Sequence, residues 1–197
     1  APERQFARRL AEQGCAVVVP VLVDRQDTWS AKPEIDRLTN KPHREWIYGQ
    51  AYPLGRHIIG YEAQKVLAAV DLFAGQQTGT DAGQRSIGVA GYAEGGLLAF
   101  YAAALDRRID AALVSGYFDS RQRLWEEPIY RNVFGLLREF GDAEIASLIA
   151  PRVLVVEHSE APRIDGPPKP RTRKPEAAPG RIGTPDYNTV EEEFARA

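Results

Sequence analysis

The nine residues Gly88-Val89-Ala90-Gly91-Tyr92-Ala93-Glu94-Gly95-Gly96 constrain this chain more than any other stretch. An apolar run, residues 84–90, leads into them, and the small-residue run Gly96 to Leu105 follows, so the pattern predicts a strand turning directly into a helix. Such a turn holds its apex residue in a strained backbone conformation. Residues two before and two after the apex come close to neighbouring backbone, which favours glycine at both. Gly91-Tyr92-Ala93-Glu94-Gly95 therefore has the spacing of a G-x-S-x-G nucleophile elbow with alanine at the apex. The spacing Gly88, Gly91, Gly95 also fits, more loosely, a phosphate-binding turn at a helix start. That turn normally follows the first strand of its domain, and Asp119 is the one acidic residue placed to serve it.

Around this junction the chain alternates. Pro2 to Gly14 carries Phe6 and Leu10 one helical turn apart, and Cys15 to Val23 is a nearly continuous apolar run, as expected for a strand buried on both faces. Asp24 to Gly60 is long, polar and aromatic, with Trp29, Trp46, Tyr48 and Tyr52; its segment 44–53 could cap a sugar or aryl pocket or simply anchor the loop. Helical spacing returns in Tyr61 to Phe73. Ile109 to Tyr117 reads as a strand, residues 121–149 as mainly helical, Pro151 to Val156 as a fourth strand, and Val190 to Ala197 as the start of a short amphipathic helix. The order helix–strand, four times over, predicts an α/β fold with a doubly wound, mostly parallel sheet and helices on both faces.

Composition excludes some functions and leaves others open. A chain of 197 residues suits one domain, and a net charge of -2 with pI near 6.0 gives no support for a nucleic-acid partner. No run approaches the roughly eighteen apolar residues of a membrane span, so no membrane partner is expected. The single Cys15 is expected to be buried. No metal-binding motif is present, and no metal or other cofactor is expected. With alanine first and no methionine, the chain reads as a processed or trimmed product. Residues 161–186 hold seven of the fourteen prolines, interleaved with Arg163, Lys169, Arg171, Arg173, Lys174 and Arg181. This Pro-rich basic loop is expected to be an extended, solvated excursion within the single domain 1–197.

Three features together, Gly91-Tyr92-Ala93-Glu94-Gly95-Gly96, the strand Val153 to Val156 ahead of an acidic turn, and the helix ending Ala68-Ala69-Val70-Asp71, make the chain resemble the α/β-hydrolase superfamily. The likeness is to its dienelactone-hydrolase-like and acetyl-xylan-esterase-like members. It implies further strands before the first helix, another after the last, and part of an oxyanion hole supplied from just before residue 1. It also implies ester hydrolysis by serine, an acid and histidine in that chain order. Here Ala93 takes the nucleophile's position without a hydroxyl. The acid's usual place falls on Ala161, leaving Glu160 one residue short and Glu157 at the strand tip as candidates. His43, His57 and His158 are the only histidines, and none follows the acid. Tyr92, Glu94 and His57 are candidate substrate contacts. The expectation is a domain of carboxylic-ester-hydrolase ancestry, inactive as written, whose ligand is a small ester or carbohydrate ester. The alternative is a non-catalytic binding or scaffold domain on the same fold.

Overall fold

A computed structural model describes residues 5–29, 34, 41–76, 85–166 and 180–197. Its centre is a parallel sheet of three strands, β1 (Gly88–Tyr92), β2 (Ala111–Ser115) and β3 (Val153–Glu157), in that spatial order. Ala90 lies opposite Leu113, and Leu113 opposite Val155. The helices in chain order are α1 (Phe6–Glu12), α2 (His43–Ala51), α3 (Ile58–Gly75), α4 (Glu94–Leu105), α5 (Leu136–Glu139), α6 (Asp142–Ser147) and α7 (Tyr187–Arg196). Each parallel pair is joined by a crossover, α4 between β1 and β2, and α5 with α6 between β2 and β3. This is the α/β alternation of an α/β-hydrolase core in part.

The core sits between the sheet and α4. That helix is apolar all round, as a helix buried on all sides must be, and Leu97, Leu98, Ala99, Phe100, Ala102 and Ala103 are all buried. It lies across β1 and β2, while α3 and α6 pack on it from outside and α7 packs on α6. Val89, Ala112, Val114, Leu154 and Val156 point into this core. The opposite row, Ala90, Leu113 and Val155, is exposed.

Four expectations need correction. Cys15 to Val23 forms no strand: its apolar residues Val17, Val18, Val19 and Val21 are exposed, and so is Cys15. A strand needs a neighbouring edge, and no backbone hydrogen bond joins this run to β1. Side chains of α2 and α3 hold its end instead. Glu62 accepts from the Val23 N–H at 2.8 Å, Arg44 donates to the Val23 carbonyl at 2.9 Å, and Lys65 to that of Val21 at 2.9 Å. The segment 24–60, read as a loop, contains α2 and a 3-10 turn over Tyr52–Leu54. Residues 121–149 are helical only in short pieces. At the Pro-rich excursion, Ile164 and Ile182 form an antiparallel bridge that draws its two ends together. Its residues Lys169, Arg171, Arg173 and Lys174 lie outside the described residues.

Candidate functional site

At the carboxyl end of β1 the backbone turns into α4 through Ala93, with φ 51 and ψ -111. Among the described residues Ala93 is the one non-glycine with positive φ. Its N–H donates to the Ser115 carbonyl at 2.8 Å, and its own carbonyl accepts the first helical bond, from Leu97 N–H at 3.1 Å. Glycine is required on both sides of the turn, though not as spacing alone predicts. A Cβ on Gly91 would lie 1.9 Å from the Gly95 carbonyl oxygen, and one on Gly96 would lie 2.9 Å from that of Ser115. Gly95 has open space around it. The helix thus crosses β1 and β2 at a distance that only hydrogens at 91 and 96 permit.

Glu94, the next residue, is buried at the centre of a charge cluster. Its Oε2 accepts from Arg25 at 2.5 Å, Arg131 at 3.1 Å and the Tyr130 hydroxyl at 3.1 Å, and its Oε1 from Arg44 at 3.3 Å. Arg44 is itself held by Glu62 through two parallel bonds of 3.0 and 2.6 Å. Burial would raise the Glu94 pKa, but Arg131, Arg44 and Arg25 together outweigh it and hold the carboxyl below its usual range. Bidentate and charge-assisted bonds of this kind fix geometry as well as charge. Glu94 is therefore an ionised acceptor whose oxygens are committed to four donors.

The other predicted residues are placed as follows. Tyr92 ends β1 with an exposed ring, and its hydroxyl donates to the Glu160 carbonyl at 2.5 Å. That contact brings residue 160 beside the junction, while the side chains of Glu157 and Glu160 are exposed. Ala161, at the acid's usual place, is buried, and its N–H donates to Thr184 Oγ1 at 3.0 Å. His57 caps α3: its Nδ1 accepts from Ile59 N–H at 3.1 Å, and its Nε2 meets the Asn132 carbonyl at 3.2 Å. Burial lowers its pKa, against the Asn132 contact. His158 meets the Pro185 carbonyl at 2.9 Å. None of these histidines bonds to Glu157 or Glu160.

Residues that the motif does not mark complete the picture. Arg25, Arg44, Glu62, Tyr130 and Arg131 surround Glu94, and His43, Arg44 and Glu45 are three consecutive buried polar residues at the start of α2. Strongly polar residues are almost never buried unless partnered, so a polar run that nevertheless makes a helix's inner face is a signal of a charged site. It is readable only once the helix is known.

Compared with known proteins, residues 2–124 match the family model described as the dienelactone hydrolase family. The chain matches no curated protein.

Proposed function

The chain belongs to the dienelactone hydrolase family, and from that premise we propose that it is a domain of carboxylic-ester-hydrolase descent in which position 93 no longer attacks substrate. The observation that carries this reading is the backbone of Ala93. A φ of 51 with ψ of -111 in a strand-to-helix turn is the conformation that presents an attacking side chain above the ends of the strands, and here it presents a methyl group. A methyl has no lone pair and no proton to transfer.

The loss extends beyond one oxygen. Glu94 is no substitute nucleophile, because its oxygens are neutralised and held by three arginines and Tyr130. Glu157 and Glu160 have no imidazole to orient, since His57 and His158 spend ring nitrogens on backbone carbonyls elsewhere. The ligand retained on this reading is a small ester or carbohydrate ester lying over the carboxyl ends of the strands, with the exposed ring of Tyr92 as its contact.

Ala93→Ser tests the reading. Folded Ala93→Ser protein is expected to hydrolyse p-nitrophenyl acetate no faster than the wild type. A rise of roughly tenfold or more, equivalent to about 1.4 kcal/mol of barrier, would show that only the hydroxyl was missing and would overturn the proposal.

A further inference from the structure

The loop that carries Arg25 into the Glu94 cluster also carries a hydroxyl, and that hydroxyl faces an imidazole. Thr28 Oγ1 lies 3.0 Å from His43 Nε2, and His43 Nδ1 lies 2.8 Å from Asp24 Oδ1. The Trp29 N–H also points at Nε2, at 3.1 Å. A backbone amide can only donate, so Nε2 is the nitrogen that carries the lone pair, and the proton of the neutral ring is on Nδ1, facing Asp24. The Thr28 hydroxyl is then the second donor to Nε2. His43 is 2 % exposed, while Thr28 is open to solvent. The indole of Trp29 stacks on the imidazole with centroids 3.7 Å apart and planes 11° apart. His57 and His158 meet backbone carbonyls, so His43 is the histidine whose ring nitrogen meets a side-chain hydroxyl.

We propose that Thr28 is an acyl-accepting nucleophile, with His43 as its general base and Asp24 as the group that holds the imidazolium. The acyl donor is a small carboxylic ester, a choice that rests on the descent proposed above. Thr28 Oγ1 attacks the carbonyl carbon and forms the new C–O bond while its proton passes to Nε2. The tetrahedral adduct collapses by breaking the bond to the alcohol, which leaves with the proton from Nε2. Water, deprotonated by the same nitrogen, then cleaves the acyl-Thr28 ester, restoring the hydroxyl and releasing the acid.

The arrangement has one opposing and two supporting features. Protonated Nε2 no longer accepts from Trp29 N–H, so that contact is lost for the lifetime of the imidazolium. The Asp24 carboxylate and the stacked indole face lie against the ring on which the imidazolium forms during the step. His43 Nδ1 makes no hydrogen bond despite lying 2.8 Å from Asp24 Oδ1, so Asp24 acts chiefly through its charge. Its Oδ1 is itself fixed by Gln26 N–H at 2.8 Å, and His43 N–H is tied back to the Gln26 carbonyl at 2.6 Å.

The test is acetylation of the intact wild-type chain by p-nitrophenyl acetate, with the modified residue located by peptide mass mapping. The expected result is an acetyl group on Thr28, retained in Thr28→Ser, absent in Thr28→Val, and formed on the order of 100-fold more slowly in His43→Gln. A folded wild type that carries no acetyl on Thr28 overturns the proposal, and so does release of p-nitrophenol by folded Thr28→Val at the wild-type rate. Because Ala93 has no hydroxyl, label on the wild type cannot come from position 93. A gain from Ala93→Ser in the Thr28→Val background would overturn the reading of position 93 and leave Thr28 untouched.

Discussion

Ala93 has a side chain in a conformation that side chains avoid. Its φ of 51 lies near that of the left-handed helical well, but a ψ of -111 lies far outside it. Holding a non-glycine residue in such a region costs on the order of 1–3 kcal/mol. The neighbouring bonds to Ser115 and Leu97 are what enforce it. Ala93→Gly removes the strain and gives back about 0.4–1 kcal/mol through the greater freedom of the unfolded chain. The expected net effect is a stabilisation of about 1 kcal/mol, read as a higher urea midpoint at unchanged slope. A midpoint below that of the wild type would mean that the turn is not strained. At this scale the strand-to-helix turn was legible in the sequence, although close backbone approach demands glycine at 91 and 96 and not at 95. Glu94 was not. Its partners Arg25, Arg44 and Arg131 are 69, 50 and 37 residues away, and only the folded chain brings them together.

Elements that bury an apolar face declared themselves, and those that bury charge did not. Helices α3 and α4 and strands β2 and β3 follow apolar runs, and the structure places all four where those runs lie. Helix α2 inverts the rule: its first turn buries His43, Arg44 and Glu45, so its inner face reads as polar and the segment as loop. The run Cys15 to Val23 fails for the opposite reason. Its composition suits a strand, but hydrogen bonding to an adjacent edge, rather than composition, makes a strand. The packing of β1 against α4 gives a sharper test of what glycine does there. Gly91→Ala forces a methyl to within 1.9 Å of the Gly95 carbonyl oxygen and is expected to cost about 3 kcal/mol. Gly95→Ala places its methyl in open space on a helix and is expected to stabilise by about 0.5–1 kcal/mol. Denaturant midpoints of the two variants should therefore move in opposite directions. Equal losses would show that the glycine frame acts through symmetric close approach after all.

Over the whole molecule, buried carboxyls of opposite tendency set how stability follows pH. Asp142 is wholly buried at the start of α6, where burial pushes its pKa up to about 7 against the opposing charge of Arg121. It accepts from Asp119 N–H at 3.2 Å and lies 3.3 Å from Arg121 Nε, with Glu127 and Glu193 adding to the upward push. Glu45 is also raised to about 7 by burial, with Lys41 opposing. Between the unfolded values near 4 and the folded values near 7, the native state binds more protons than the unfolded state at both sites. Stability therefore falls as pH rises through that window. Glu94 has the opposite sign. Its folded pKa is depressed, so its contribution is present above the unfolded value and is lost as pH falls through the folded one. These groups together put the stability maximum on the acid side of neutrality, with the urea midpoint higher at about pH 5 than at about pH 8 and the unfolding free energy larger by on the order of 1–3 kcal/mol. Asp142→Asn with Glu45→Gln should flatten that decline and leave in place the acid limb, to which Glu94, Asp106 and Glu144 all contribute. A wild-type midpoint that rises from about pH 5 to about pH 8 would show that Asp142 and Glu45 fold as ionised groups. The network around Arg121 would then be an ion pair in full, and the protonated carboxyl would have no part in holding α6 to the rest of the core.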